Sequence, residues 1–146
     1  MREAFQRDLP ARVPGRAQRR VARVALDADV VIAFLDPDDA QHSAAVERLG
    51  RQECWGQLLI AATVYAEVII RPLQQGTVEK VDEFLAAAGA KVIEIDRSLA
   101  RTAAELRARH RRLRLPDAVA LATALQRNAR LVTLDNDLQR IAADEQ

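Results

Sequence analysis

Short apolar segments typical of strands alternate along this chain with longer segments of helical periodicity. Strands are predicted at 21–26, 57–62, 91–95 and 130–134. Helices are predicted at 30–35, 39–49, 63–73, 78–88, 98–111 and 116–128, with a short helix at the end of the chain. Strands that are apolar on both faces need cover on both sides, and strands that alternate with helices are usually parallel. The sequence therefore predicts an α/β fold, an α/β/α sandwich with a central parallel sheet.

The length and composition suit one globular domain. The chain has 146 residues, 49% of them hydrophobic, which is enough for a sizeable core. Residues 1–20 are rich in arginine and are interrupted by prolines. This composition predicts a flexible basic N-terminal arm, so that the folded domain would comprise residues 21–146.

Neither a membrane segment nor a disulfide is expected. No apolar run reaches the ~18 to 20 residues that a membrane span needs, and the N-terminal segment lacks the apolar centre of a signal peptide. We therefore expect a cytoplasmic protein without a membrane partner. Cys54 is the only cysteine, which excludes an internal disulfide and a zinc site built from several cysteines.

Two aspartates interrupt the apolar segment VALDADVVIAFLD at 24–36. Asp27 lies where the first predicted strand ends, and Asp29 follows two residues later. Ligands of parallel sheets bind beyond the carboxyl ends of the strands, so this position suits a functional group. The alternative is that Asp27 or Asp29 caps the following helix, because aspartate is a preferred N-cap residue.

Other carboxylates stand at comparable positions. Glu67 lies on a partly apolar face of a predicted helix, and Asp117 follows Pro116 in the first turn of another. Asp135 and Asp137 follow the last predicted strand. Helix capping or stabilisation of a helix N-terminus explains each of these residues alone. The set carries more weight than any single member.

Four segments resemble the PIN domain family, the fold of the VapC toxins of bacterial toxin–antitoxin pairs. They are LDADVVIAFLDPDDAQHSAA, TVYAE, LPDAVALATAL and LVTLDNDL, and their order and spacing match over residues 21–142. The resemblance implies a catalytic and metal-binding quartet, which is Asp27, Glu67, Asp117 and Asp135, and supporting roles for Asp29, Thr133 and Asp137. It also implies a homodimer, an RNA substrate and a cognate antitoxin. Asp29 departs from the family pattern, which often has serine or asparagine there.

The chemistry of such a quartet is that of a divalent cation. Mg²⁺ and Mn²⁺ prefer carboxylate and water oxygens, and clustered carboxylates repel each other without a cation. A metal held there can bind a phosphodiester and activate water, which is the chemistry of a metal-dependent endoribonuclease. The sequence leaves open whether one or two ions bind, and whether Asp135 or Asp137 contributes more.

Arginines form two clusters, RVPGRAQRRVAR near the N-terminus and RARHRRLR at 107–114. Arginine suits phosphate because its fork of donors binds two oxygens at once. We therefore predict that Arg111, Arg112 and Arg114 bind RNA. The alternative is a solvated helix surface whose arginines pair weakly with Glu105 and Asp117.

Two other functions stay open at this point. DADVV also fits the start of haloacid-dehalogenase-like phosphatases, with Asp27 as nucleophile, but that chemistry needs a lysine ahead of the last acids and only Lys80 and Lys91 exist. The other function is that of a non-catalytic, PIN-like module that binds RNA or protein. The acidic set disfavours it, because a protein that only binds phosphates gains nothing from clustered anions.

Overall fold

The computed structural model describes residues 22–50 and 56–146, which form four strands and seven helices. In chain order these are β1 (Arg23–Leu26), α1 (Ala28–Leu35), α2 (His42–Gly50), β2 (Gln57–Ala61), α3 (Ala62–Gln75), α4 (Val78–Ala87), β3 (Lys91–Ile93), α5 (Arg97–Arg109), α6 (Leu115–Gln126), β4 (Arg130–Val132) and α7 (Asn136–Glu145). The predicted arm at 1–20 and Cys54 lie outside the described residues. None of the helices in the two described ranges is long and apolar enough to cross a membrane.

The strands form one parallel sheet in the order β3–β2–β1–β4. Ala25 of β1 lies opposite Leu59 of β2 on one side and Leu131 of β4 on the other. The chain runs outward from β1 to β3 and then places β4 on the far side of β1. The strand order reverses between β1 and β4, where ligands of such sheets bind. The prediction of a central parallel sheet flanked by helices is confirmed.

Helix α6 is buried around most of its circumference. It fixes one edge of the crevice that lies beyond the carboxyl ends of β1 and β4. Its residues 117–124 are all buried, as expected for a helix that is apolar on every face. The helix packs against β1, β2, β4 and α5. Because α6 leads back into the parallel strand β4, it begins at the edge of the sheet where the strands end. The first turn of α6 therefore brings Asp117 to the carboxyl ends of the strands.

Helix α2 begins later than predicted. The side chain of Asp36 accepts the backbone N–H of Asp38 at 3.0 Å, and that of Asp39 accepts the N–H of Gln41 at 2.8 Å. Such bonds between side chain and backbone hold the chain in turns and compete with helix formation. The helix predicted from residue 39 therefore starts at His42.

Strands β3 and β4 each end two residues before their predicted ends, at Ile93 and Val132. As a result Thr133 stands just beyond β4, in the crevice, and is no longer part of the ladder. Helix α5 likewise ends at Arg109, two residues early. The chain then turns, with the N–H of Leu113 bonded to the carbonyl of His110 at 3.0 Å.

A close backbone approach at Gly56 gives a test of the fold. A Cβ there would lie 1.7 Å from the carbonyl oxygen of Ala22, next to the bond from Gln57 N–H to the same oxygen. Gly56→Ala should therefore push β2 from β1 and lower the free energy of unfolding by about 1 to 3 kcal/mol, measured by denaturant titration. Gly50→Ala is the control, since a Cβ at Gly50 meets nothing within 4 Å. Equal stability of the two variants would contradict this packing.

Candidate active site

Asp27 joins the ends of β1 and β4. Its backbone N–H extends the ladder by a bond to the carbonyl of Val132 at 3.0 Å. Its side chain is buried, and Oδ1 accepts the N–H of Ala28 at 2.9 Å while Oδ2 accepts the hydroxyl of Thr133 at 2.9 Å. Asp27 is thus the N-cap of α1 and a crevice residue at once. The two interpretations that the sequence left open are compatible.

The hydroxyl of Thr133 connects three acids. Besides Asp27, it lies 3.2 Å from Oδ2 and 3.4 Å from Oδ1 of Asp29, and it accepts the backbone N–H of Asp135 at 3.1 Å. Asp29 is held further by the N–H of Leu134, at 3.2 Å from each of its oxygens. One hydroxyl carries one proton, so Thr133 cannot donate a full hydrogen bond to Asp27 and another to Asp29 at the same time. Two carboxylates therefore share one donor.

Negative charge is concentrated at this point. Burial raises the pKa of Asp27 to about 7, and the charges of Asp29 and Asp117 contribute, while the bonds from Thr133 and Ala28 oppose the rise. Burial also raises the pKa of Asp29, and the charge of Asp135 adds to that effect. A carboxyl whose charge is disfavoured by burial and by like charges is stabilised by a proton or by a cation.

Asp117 reaches the crevice from the first turn of α6. Pro116 precedes it at a position where a missing N–H costs nothing, and the helix N-terminus stabilises its charge. The side chain is only 13% exposed, and Oδ2 accepts Nε of Arg114 at 3.2 Å. The charge of Asp117 raises the pKa of both Asp27 and Glu67. Asp117 therefore belongs electrostatically to the cluster.

Glu67 lies at the rim of the cluster. Its side chain is exposed, although the partly apolar helix face suggested more cover. Partial burial still raises its pKa, with contributions from the charges of Asp117 and Asp29, and Arg114 opposes the rise. Glu67 is thus within electrostatic reach of the buried acids without touching them. The sequence predicted its membership of the set but not its exposure.

The structure separates Asp135 from Asp137. Asp135 caps α7, with Oδ1 accepting the N–H groups of Asp137 at 2.9 Å and Leu138 at 3.1 Å, while its own N–H is bound to Thr133. The side chain of Asp137 is 79% exposed and pairs with Arg140 on the surface of α7. Asp135 is therefore connected to the acidic network, and Asp137 is held outside it.

Protein donors occupy most of these carboxylates. Among residues 22–50 and 56–146, no three Asp, Glu, His or Cys side chains are placed so that they could hold a metal ion together. The donor chemistry nevertheless fits a hard divalent cation, since every candidate ligand is a carboxylate oxygen and the charges of neighbouring acids help to raise the pKa of Asp27 and Glu67. A cation would have to replace the bonds that now hold the acids apart.

Arg48 is a contributor that the sequence did not suggest. Its guanidinium, on α2, donates to the carbonyl oxygen of Thr133 and lies 3.4 Å from Oε1 of Gln139. It thereby fixes the backbone at the residue that connects the acids. The partners are 85 positions apart in the chain, and no local sequence pattern around Arg48 predicts the contact.

The predicted RNA-binding arginines differ from one another. Arg111 and Arg112 are exposed in the turn after α5 and form no ion pair with any described residue. Arg114 pairs with Asp117, as the alternative interpretation proposed. Glu105 pairs instead with Arg101, on the surface of α5. Only Arg114 of the three contacts the acidic cluster.

The lysines do not support the phosphatase alternative. Lys91 is the first residue of β3, at the amino end of the parallel sheet and so at the edge opposite Asp27. Lys80 lies on α4. Within the described part of the chain neither lysine forms an ion pair with Asp27 or Asp29. Neither is therefore placed to serve as the lysine that phosphatase chemistry requires.

The raised pKa of Asp27 predicts how stability depends on pH. Its folded-state pKa of about 7 lies above the ordinary 3.8, so the stability gained from protonation is complete below about pH 4 and is lost as the pH rises through 7. In Asp27→Asn the amide oxygen can still cap α1, but the side chain carries no charge at any pH. The variant should therefore not lose this stability as the pH rises. In EDTA the variant should be more stable than wild type at pH 8, by on the order of 2 kcal/mol, and equally stable near pH 4.

Thermal and denaturant unfolding across this pH range measure the difference. Asp144→Asn, a change at an exposed residue of α7, serves as control and should follow wild type throughout. A wild-type protein whose stability relative to Asp27→Asn does not fall between pH 4 and pH 8 would contradict the assignment of a buried carboxylate repelled by its neighbours.

Comparisons with known proteins identify the family and the fold of this chain. The PIN domain family model matches residues 24–144. No curated protein matches the sequence, whereas 13 chains of known structure do. One of them is a chain from a toxin–antitoxin complex of Klebsiella pneumoniae, which is 24% identical in sequence to this chain with a TM-score of 0.61. The match covers 78% of this chain and 86% of that chain.

Two further structures share the fold at lower identity. VapC20 of Mycobacterium tuberculosis, a toxin that cleaves the sarcin–ricin loop, is 18% identical with a TM-score of 0.66, over 82% of this chain and 94% of that chain. VapBC2 from Rickettsia felis, bound to a DNA fragment from its promoter, is 19% identical with a TM-score of 0.62, over 82% and 92%. The predicted resemblance is confirmed, and this chain belongs to the PIN domain family.

Proposed function

We propose that this PIN domain protein is a metal-dependent endoribonuclease and the toxin of a toxin–antitoxin pair. The observation that carries the proposal is the shared hydroxyl of Thr133, which gathers Asp27 and Asp29 where the strand order reverses. Asp117 and Asp135 add their charges to the same point. Membership of the PIN domain family supports the proposal, as does the likeness to a toxin that cleaves the sarcin–ricin loop.

Asp27, Glu67, Asp117 and Asp135 are the residues that would hold Mg²⁺ or Mn²⁺. When bound, such an ion supplies Lewis-acid stabilisation and a water of lowered pKa. The chain itself orients the acids: Thr133 fixes Asp27, and Asp29 holds the backbone of Leu134. In the reaction the water oxygen bonds to phosphorus, one P–O ester bond breaks, and the leaving oxygen takes up a proton.

The substrate is RNA, and the proposed contacts to its backbone come from arginines beside the crevice. Arg111 and Arg112 are exposed next to the start of α6, and Arg114 reaches the crevice itself. Exposed arginines bind phosphate through charge and release of counterions, and this binding does not depend on sequence. These residues would therefore hold RNA of many sequences near the acids.

The proposed protein partners are a cognate antitoxin and a second copy of the chain. Two of the solved relatives are toxin–antitoxin assemblies. A groove with Glu67 on its wall runs between α1, α3 and α4, and apolar residues such as Ile32, Leu35 and Val68 line it. It fits a partner segment that has apolar side chains and a cation for the acids. The proposed setting is the cytoplasm, with residues 1–20 as a basic arm of the domain at 21–146.

Metal and activity can be tested together. Mn²⁺ should raise the melting temperature of wild type in a concentration-dependent way, and RNA should be cleaved in Mn²⁺ but not in EDTA. Asp117→Asn should blunt the thermal shift and lower cleavage by about 100-fold or more, while RNA binding is kept or tightened because an anion is removed. Asp144→Asn is the matched control. A folded wild type whose melting temperature ignores millimolar Mn²⁺ would count against the metal site.

The homodimer has its own test. Ile70 and Leu73 of α3 are each 57% exposed and lie three residues apart on one helix face, which suits a self-association surface. Light scattering at high micromolar concentration should report a dimer, and Ile70→Lys with Leu73→Lys should report a monomer of unchanged fold. Val46→Lys on α2, where Val46 is 42% exposed, is the control. A monomeric wild type would refute the dimer and leave the nuclease proposal standing.

A further inference from the structure

The guanidinium of Arg114 lies at the acidic crevice and is held there by a single hydrogen bond. Its Nε donates to Oδ2 of Asp117 at 3.2 Å, and neither Nη1 nor Nη2 bonds to a described residue. The side chain of Arg114 is 77% exposed, whereas that of Asp117 is 13% exposed. Arginine has five N–H donors in a fixed fork. The forked end is therefore available to a ligand.

The charge of Arg114 acts on more than one acid. Its pKa is raised first by the charge and hydrogen bond of Asp117, and further by the charges of Asp135 and Glu67. These acids come from three separate parts of the fold, α6, the end of β4 and α3. Arg101 makes a comparable Nε contact with Glu105 at 3.3 Å, but that pair lies on the outer surface of α5. Arg114 is thus placed at a cluster, and Arg101 at an isolated carboxylate.

The backbone of Arg114 is anchored while its tip is solvated. Its carbonyl accepts the N–H of Ala118 at 2.9 Å, and the preceding Leu113 is 3% exposed in the core. Arg114 itself is the N-cap of α6, in an extended conformation. A side chain with a fixed base and a free end can exchange one anionic partner for another without moving the helix.

We propose that Arg114 neutralises Asp117 before substrate binds and then contacts the phosphate at which RNA is cleaved. This inference rests on the proposed ribonuclease function. A divalent cation bound to Asp117 would repel a guanidinium that shares the same carboxylate. The incoming phosphate supplies a new anion within reach of the side chain, and arginine binds phosphate oxygens in pairs.

This position assigns Arg114 a different role from its neighbours. The phosphate gains charge on its oxygens in the transition state, and a fixed cation at that place stabilises the transition state more than the bound substrate. Arg111 and Arg112, which form no ion pair with a described acid, act at a distance from the acids and contribute to affinity. Loss of Arg114 should therefore lower the rate of the chemical step more than RNA binding.

Three measurements on Arg114→Gln, Arg114→Lys and the control Arg101→Gln test this inference. The first is the Mn²⁺ concentration that gives half of the thermal shift. The second is the Kd for a non-cleavable RNA, and the third is the single-turnover cleavage rate at saturating RNA and Mn²⁺. Arg114→Gln should bind Mn²⁺ several-fold more tightly, because a competing cation is gone. Its cleavage rate should fall by about 100-fold or more, with a change in RNA Kd below about tenfold.

Arg114→Lys should recover part of the rate, since it restores the charge without the fork, and Arg101→Gln should match wild type in all three measurements. An Arg114→Gln variant with the wild-type rate and Mn²⁺ affinity overturns the inference. If wild type cleaves no RNA with any divalent metal, the ribonuclease proposal fails. The Mn²⁺ titration then decides alone: tighter binding by Arg114→Gln supports a competing cation, and equal binding overturns it.

Discussion

The contact between Thr133 and the two aspartates after β1 is the interaction on which the site depends. One buried hydroxyl, at the end of β4, serves Asp27 and Asp29 across the gap where the strand order reverses. The sheet register fixes this distance, because Asp27 N–H bonds to the carbonyl of Val132 directly before Thr133. Arg48 holds the carbonyl of Thr133 from the other side. Fold and site are therefore joined through one residue.

The acids around that contact repel one another because they carry like charges. Three further acids are each held by a donor of the protein: Asp29 by Leu134, Asp135 by the N-terminus of α7 and Asp117 by Arg114. These bonds keep the carboxylates ordered but separate, while burial and the charges of Asp29 and Asp117 keep the pKa of Asp27 high. A cation that enters must compete with those donors, and the one positively charged group among them is the exposed side chain of Arg114. In the proposed mechanism, metal binding and the position of this arginine are coupled by charge.

The sequence predicted the parts of this arrangement that depend on local rules. Alternating apolar strands and helices imply a parallel sheet, and acids at strand ends imply a site at its carboxyl edge. The dual role of Asp27 follows from the same position, since a residue between a strand and a helix is both a cap and an edge residue. The exposure of Glu67 and the late start of α2 did not follow, because tertiary packing and turns stabilised by side chains decide them. The contact of Arg48 with Thr133 joins positions 85 residues apart, so only the folded chain shows it.

Whether the carboxyl edge between β1 and β4 holds a divalent ion, as we propose, can be measured by anomalous diffraction from crystals grown with Mn²⁺. We expect a manganese peak in contact with the carboxylates of Asp27 and Asp117. Manganese bound only elsewhere, or absent from this crevice at saturating concentration, would contradict a catalytic metal at this edge.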